Sequence, residues 1–123
     1  MSLLDLLPGD CFNDEDVAFD ETLGTGTVTL VSCDVPHDNE AISSYTFPDT
    51  SFTSQELIFE HLDELCLTYW PDYVGIPFEN SALYMYYHYP TSETWNAGDR
   101  RSVCVAYDGS LEQITGSVYM SGY

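Results

Sequence analysis

The chain has 123 residues, enough for one domain with one hydrophobic core. It carries 21 acidic residues against two basic ones, a formal net charge of −19, and both basic residues are arginines. Such a chain repels phosphate backbones and anionic lipid surfaces, which excludes electrostatic binding of nucleic acid and of acidic membranes. The hydrophobic content of 44% indicates a folded protein despite this charge.

The first residues predict where the domain begins. Met1-Ser2-Leu3 is typical of an expression leader, so we assign residues 1–8 to a lead-in and residues 9–123 to a single domain. No apolar run reaches the ~20 residues that a membrane span needs. We expect the domain to be extracytoplasmic, either secreted or tethered to the membrane by a segment outside this sequence.

Residues 13–33 are interpreted as an acidic loop followed by a strand. Residues 13–26 are acidic and contain two glycines, which predicts an exposed loop. Its carboxylates could attract calcium, but their spacing does not match an EF-hand, so a solvated loop is the preferred interpretation. Residues 27–33 are rich in β-branched side chains and predict a strand. A turn at 34–38 leads to a second, more polar strand at 40–47.

The clearest helix is predicted for residues 54–69. Thr53 is the expected N-cap, Glu56 completes a capping box, and Phe52 is positioned to pack on Leu57. Pro71 is expected to end the helix. One face is marked by apolar residues three and four apart, namely Ile58, Leu62, Leu65, Cys66 and Tyr69.

The second half of the chain is read as strands joined by turns. Residues 72–80 predict a loop, 82–89 an aromatic strand and 90–95 a short helical turn. Two more strands are predicted at 101–107 and at about 112–120. The predicted fold is α+β, with a mainly antiparallel sheet of roughly four to six strands and one principal helix packed on a face.

Four cysteines, Cys11, Cys33, Cys66 and Cys104, are spread almost evenly along the chain and form no C-x-x-C pair. This pattern favours two disulfides in an oxidising compartment over four buried free thiols. Small residues two positions either side of Cys104 form a strand face that a helix can approach closely. That favours Cys66–Cys104 and Cys11–Cys33, although sequence alone allows three pairings.

Several landmarks occur in a fixed order between Gly9 and about Val118. They are Gly9-Asp10-Cys11-Phe12, Val31-Ser32-Cys33, Pro36-His37-Asp38 with Glu40, the helix with Cys66, Trp95-x-x-Gly98-Asp99-Arg100 with Cys104, and Thr115-Gly116-Ser117. The ordered set resembles the septum-formation domain family of actinobacterial envelope proteins. The chain departs from the family pattern at Ala41, where an aliphatic residue usually follows the glutamate.

The resemblance implies an exported or membrane-tethered domain with paired cysteines that is associated with the envelope or the septum. The family has no established catalytic activity, so the resemblance implies a location more than a mechanism.

Four residues form a candidate polar cluster, functional or structural. His37 and Glu40 have the H-x-x-E spacing of some metal or acid–base sites, but in a turn entering a strand that spacing sends the side chains to opposite faces. The preferred interpretation is that His37 bonds to its own turn and Glu40 pairs with a cation such as Arg100. Arg100 could also pair with Asp99 or recognise an anionic ligand.

The aromatic strand offers a candidate binding surface. Tyr84 and Tyr86 share one strand face, and Trp95 follows soon after in the chain. Tyrosines along one face either form a platform for a sugar or a protein, or fill the core beneath the helix. Both interpretations stay open.

The predicted function is a non-catalytic envelope module, associated with septum formation or cell division, that binds a partner protein or a cell-wall component. The alternative is a small hydrolase or metal-dependent enzyme that uses His37 and Glu40. No G-x-S-x-G nucleophile elbow occurs in the sequence, and no cofactor or metal is expected. A third possibility is a structural spacer.

Overall fold

The computed structural model describes residues 1–20, 25–48 and 55–123, and their regular structure is five strands and two helices. The strands are β1 (Cys11–Asp20), β2 (Thr25–Val31), β3 (Asn39–Thr46), β4 (Leu83–His88) and β5 (Arg101–Asp108). The helices are α1 (Gln55–Val74) and α2 (Ser92–Asn96). Short 3₁₀ turns occupy Leu3–Asp5 and Phe78–Asn80. The predicted α+β class is confirmed. Within these described residues, no helix has the length and apolar character that crossing a membrane requires.

All five strands form one antiparallel sheet in the order β2-β1-β3-β5-β4. In the pairing of β1 with β3, Cys11 lies opposite Glu40. In the pairing of β3 with β5, Glu40 lies opposite Ala106. Glu40 therefore occupies the middle of the sheet, with a strand on either side.

Helix α1 lies across one face of the sheet and is longer than predicted. Ile58, Leu62 and Cys66 are buried as the periodicity predicts, and Trp70 continues this row at a spacing of four residues. Tyr69, which was expected on the same face, is 45% exposed. The expectation that Pro71 ends the helix is wrong, because α1 continues to Val74.

Pro71 is tolerated inside the helix because it lies on the exposed side. A proline cannot donate to the carbonyl of Leu67, but Leu67 is also exposed, so water can replace the missing donor. The helix ends instead at Gly75, which has φ +92° and whose N–H donates to the carbonyl of Pro71 at 3.0 Å. The predicted N-terminal features, Thr53 and Phe52, lie outside the described residues.

Both faces of the sheet are covered by apolar side chains. Under α1 the core combines helix residues with the sheet residues Ile42, Leu83 and Ala106. On the opposite face Leu3 and Leu6 pack with a second set, namely Phe12, Val28, Ala41, Val103 and Val105. Residues 1–8, expected to be a lead-in, thus contribute two side chains that are only 2% and 0% exposed.

Two disulfides join the cysteines in the predicted pairs, Cys11–Cys33 and Cys66–Cys104. Cys66 lies on the buried face of α1, and Cys104 lies on the strand face beneath it. The helix therefore meets the small-residue face of β5, as the sequence predicts, and the pairing is confirmed.

Two other expectations are wrong. The acidic segment from residue 13 is not a loop, since it belongs to β1, which runs to Asp20. An irregularity in the pairing of β1 with β2, between Phe12 and Val17, lets Asp14 and Glu15 face solvent. The strand predicted at about 112–120 is absent from this described segment, in which Ile114 makes a single bridge to His37.

The last residues of the chain bind the end of α1 instead of extending the sheet. The N–H of Met120 donates to the carbonyl of Tyr73 at 2.7 Å, and the N–H of Gly122 donates to the carbonyl of Val74 at 2.8 Å. The carbonyls at a helix C-terminus have no partner within the helix. The tail supplies donors to these carbonyls, which explains why it does not form a strand.

Candidate functional site

Glu40 is a buried carboxylate that holds three parts of the fold together. Its side chain is 0% exposed. Oε2 accepts a hydrogen bond from the hydroxyl of Tyr73 on α1 at 2.6 Å and from that of Ser117 in the tail at 2.8 Å. Oε1 accepts from the N–H of Val118 at 2.9 Å. These donors satisfy both oxygens of the buried side chain.

His37 lies beside Glu40 and is also 0% exposed. Its Nδ1 is 2.8 Å from the carbonyl oxygen of Val35, which can only accept, so Nδ1 is the donor. Its backbone exchanges hydrogen bonds with Ile114, at 2.9 and 2.8 Å. The expectation that the H-x-x-E spacing sends these side chains to opposite faces is wrong, because a nitrogen of His37 lies within 4.8 Å of a carboxylate oxygen of Glu40. The two meet because His37 precedes β3 and lies in the turn, where strand alternation does not apply.

The alternative of an enzyme that uses His37 and Glu40 is not supported by this geometry. A general base or metal ligand in catalysis must reach its substrate. Both side chains are fully buried, and His37 is held by its own turn. Neither side chain offers exposed surface for a substrate to contact.

Asp99 and Arg100 do not join His37 and Glu40. Glu40 is opposite Ala106 in the pairing of β3 with β5, whereas Arg101 is opposite Thr46 at the other end of the same pair. The expected pairing of Glu40 with Arg100 is therefore wrong.

Arg100 instead fixes the loop between α2 and β5. Its guanidinium lies 3.9 Å from the ring centroid of Trp95 and donates to the carbonyls of Trp95 at 2.6 Å and of Asp99 at 2.9 Å. The carboxylate of Asp99 accepts from the N–H of Arg101 at 3.1 Å. Trp95 is only 8% exposed, so it belongs to a core beneath Arg100 and not to the predicted binding surface.

The two candidate tyrosines lie on the sheet face opposite α1. Tyr84 is 56% exposed, and Tyr86 is partly buried against the core that contains Phe12. Both rings contact Tyr107 on β5, with centroids 6.1 and 5.7 Å away. The structure thus places three tyrosines in one row across β4 and β5.

This row borders an open cavity of about 380 Å³, which we call the acidic–aromatic cleft. Tyr86 and Tyr107 form its aromatic wall. Four carboxylates stand around it, and its lining consists of Asp14, Asp38, Asn39, Tyr86, Tyr107, Asp108, Leu111 and Glu112.

Hydrogen bonds fix the position of three of the cleft carboxylates. Asp38 accepts from the N–H of Asp14 at 2.9 Å, and Asp14 accepts from the amide of Asn39 at 2.7 Å. Asp108 accepts from the hydroxyl of Tyr123 at 2.5 Å, a bond that lowers the pKa of this carboxyl group. The carboxylates are therefore held in place around the cleft. Of the acids considered for calcium, Asp14 is used here, whereas Glu21 lies outside the described residues.

Tyr86 of the cleft and Tyr73 beside Glu40 both resist ionisation. Burial, followed by the nearby charges of Asp14 and Asp38, raises the pKa of Tyr86 well above its usual value of 10.0. Burial, followed by the hydrogen bond to Glu40, does the same to the pKa of Tyr73.

The raised pKa of Tyr73 predicts a loss of stability in alkali. In the unfolded chain Tyr73 ionises near its usual pKa of 10.0, whereas in the folded chain it stays protonated. Stability is therefore complete below about pH 10 and falls as pH rises toward the folded-state pKa. Urea unfolding at a series of pH values should show a shallower decline for Tyr73→Phe than for the native chain. If the free energy of unfolding declines with pH equally steeply in both proteins, the raised pKa of Tyr73 does not explain the loss of stability.

Most residues of the Glu40 cluster and of the cleft are not apparent from the sequence. Ser117 was visible only as part of the Thr-Gly-Ser landmark, and Tyr73 was assigned to a loop. The cleft residues come from four separate segments, so no spacing of residues in the sequence predicts that they lie together. Tyr107 is the last residue of the strand predicted at 101–107, and Asp108 follows it directly.

The sequence matches a known protein family. The model of a protein family described as septum formation matches residues 6–104. No curated protein and no solved structure matches the chain at a significant level.

Proposed function

Because the chain belongs to the septum formation family, we propose that it is a non-catalytic module of septum formation whose acidic–aromatic cleft binds a cationic segment of a partner protein. The observation that carries the proposal is the cleft itself. Four carboxylates surround two tyrosine rings in a cavity of about 380 Å³, a size suited to one or two side chains.

The chemistry of the cleft selects a cation. Carboxylates attract lysine and arginine side chains, and a tyrosine ring face attracts the same groups by cation–π interaction. The net charge of −19 adds a long-range attraction for basic partners and repels acidic ones. Tyr84, at 56% exposed, extends the aromatic surface beyond the cleft, where a longer segment could lie.

We also propose that the domain works outside the cytoplasm. Both cysteine pairs are joined, which is typical of oxidising compartments. Disulfides and a septum-formation domain are both consistent with that location. The proposal includes that the domain is tethered to the membrane and that it belongs to an actinobacterial envelope protein.

Charge reversal in the cleft tests the proposal. Glu112→Lys is expected to weaken binding of a synthetic lysine-rich peptide about tenfold, which is about 1.4 kcal/mol, because it removes one attraction and adds a repulsion. Isothermal titration calorimetry at low salt measures the affinity, and added salt should weaken it further.

The matched control is Glu60→Lys, which makes the same change of charge on the exposed side of α1, across the sheet from the cleft. If both variants weaken binding equally, the attraction comes from net charge and not from the cleft. If the native chain binds an amine-bearing cell-wall fragment but not the peptide, the partner is a cell-wall component and the proposed protein partner is wrong.

A further inference from the structure

Four potential metal ligands converge around the Cys11–Cys33 disulfide. The two sulfur atoms, a ring nitrogen of His37 and a carboxylate oxygen of Glu40 all lie within 4.8 Å of one another. Three of these residues are 0–1% exposed. Ligands of a tetrahedral zinc ion are about 3.3–3.8 Å apart, so shifts of roughly an ångström would bring these atoms to zinc-binding distances once the sulfur–sulfur bond is broken.

His37 is already oriented as a metal ligand. Its Nδ1 donates to the carbonyl of Val35, and its Nε2 is buried with no hydrogen-bond partner among the described residues. An unpartnered buried nitrogen is costly and unusual. Histidines that bind metals commonly donate their second nitrogen to a backbone carbonyl, which fixes the tautomer and leaves the other lone pair free. The geometry around His37 matches that arrangement.

Glu40 directs one oxygen toward the sulfur atoms. Oε1 is 3.5 Å from Sγ of Cys11. The other oxygen, Oε2, is held by the hydroxyls of Tyr73 and Ser117. Oε1 also accepts a hydrogen bond from the N–H of Val118 at 2.9 Å, which leaves its second lone pair for a metal. The hydrogen bonds to both oxygens would orient the carboxylate as they do in known sites.

The two disulfides differ in how easily a reductant can reach them. Cys66 and Cys104 are 0% and 4% exposed beneath α1. Cys33 is partly exposed and follows β2, between the exposed residues Ser32 and Asp34. A thiolate from solution can therefore approach the sulfur of Cys33, while Cys66–Cys104 is shielded.

We propose that reduction of Cys11–Cys33 by a dithiol converts this cluster into a zinc site with the ligands Cys11, Cys33, His37 and Glu40. One thiolate of the reductant attacks Sγ of Cys33, the sulfur–sulfur bond breaks, and Cys11 leaves as a thiolate. The second thiol of the reductant then displaces Cys33, so the dithiol becomes a disulfide and supplies two electrons. Zinc binds both cysteines as thiolates, and the two protons of the dithiol go to solvent.

Charge explains why the reduced site needs a cation. Reduction leaves two cysteine sulfurs beside the buried carboxylate of Glu40. As thiolates they would add two negative charges to a site with no positive group among the ligands. Zn²⁺ offsets both, and its preference for sulfur and nitrogen ligands fits the set.

The test uses the full chain, oxidised or reduced with a phosphine until alkylation and mass mapping show thiols at Cys11 and Cys33 only. Reduced protein is expected to bind one zinc per chain after dialysis, and oxidised protein none. With cobalt(II) as a probe, the reduced form should show thiolate charge-transfer absorption. His37→Gln should lower the zinc affinity at least about tenfold.

The matched control is His61→Gln, since His61 is an exposed histidine on α1 that contacts Tyr45 and Phe47. It should leave zinc binding unchanged. The proposal is overturned if reduced native protein takes up no more zinc than oxidised protein, or if His37→Gln binds as tightly as the native chain. Should His37→Gln not fold, Cys33→Ser replaces it, and the cobalt charge-transfer band should fall by about half; an unchanged band would also overturn the proposal.

Discussion

Replacing Glu40 by alanine is expected to lower the free energy of unfolding by about 3–5 kcal/mol, a large part of the stability of a domain this size. The substitution leaves the hydroxyls of Tyr73 and Ser117 and the N–H of Val118 without their acceptor. It also opens space in a fully buried position. Urea unfolding followed by circular dichroism measures the effect.

Two controls isolate the role of Glu40. Glu60→Ala removes an exposed carboxylate from α1 and should change stability by no more than about 0.5 kcal/mol. In a double-mutant cycle, Tyr73→Phe should cost much less in the Glu40→Ala background than in the native chain, because the shared hydrogen bond is already gone. A loss of under about 1 kcal/mol for Glu40→Ala would contradict its role as the link between sheet, helix and tail.

Removing the Cys66–Cys104 disulfide by substituting alanine for both cysteines is expected to destabilise the fold by about 4 kcal/mol in the chain-entropy model. The two cysteines are 38 residues apart and join α1 to β5. The bond therefore limits how far the helix can separate from the sheet in the unfolded chain. Urea unfolding of the double variant at neutral pH measures the loss.

The comparison with Cys11–Cys33 provides the control. That bridge spans 22 residues, so its removal should cost less, about 3 kcal/mol. If removal of Cys66–Cys104 leaves the urea midpoint unchanged, the disulfide does not hold α1 on the sheet. The apolar packing of the helix would then be sufficient to keep α1 in place.

Local patterns in the sequence were sufficient to predict the elements that bury one face, namely α1 and β5. The apolar spacing of α1 predicted its buried side, and the small residues beside Cys104 predicted where the helix approaches the sheet. Together they gave the correct disulfide pairing. These features can be recognised in the sequence because a buried face places apolar or small residues at a fixed spacing along the chain.

The errors arose where partners distant in the chain decide the structure. Residues 13–16 are polar enough for a loop, but β1 pairs with β2 on either side of them, at Cys11–Phe12 and at Val17–Asp20, and the strand continues through this irregular segment. Pro71 predicts a helix end, yet its exposed position lets α1 continue. The tail has strand-like composition, but its N–H groups bind Glu40 and the end of α1.

The sites were harder to predict than the fold. The contact of Glu40 with Tyr73 joins residues 33 positions apart, and its contact with Ser117 joins residues 77 positions apart. The cleft depends on the bulge in β1, on the turn before β3 and on the segment after β5. Side chains from such distant segments meet only in the folded sheet, so the sequence indicated the aromatic strand but not the carboxylates around it.

The central claim is that the acidic–aromatic cleft binds a cationic segment. Two-dimensional NMR of the isotopically labelled chain, titrated with a lysine-rich peptide, tests it most directly. We expect the shifted amide signals to cluster at Asp14, Asn39, Tyr107 and Glu112, all on the cleft. Shifts spread evenly over the acidic surface, or concentrated on α1 across the sheet, would contradict the claim.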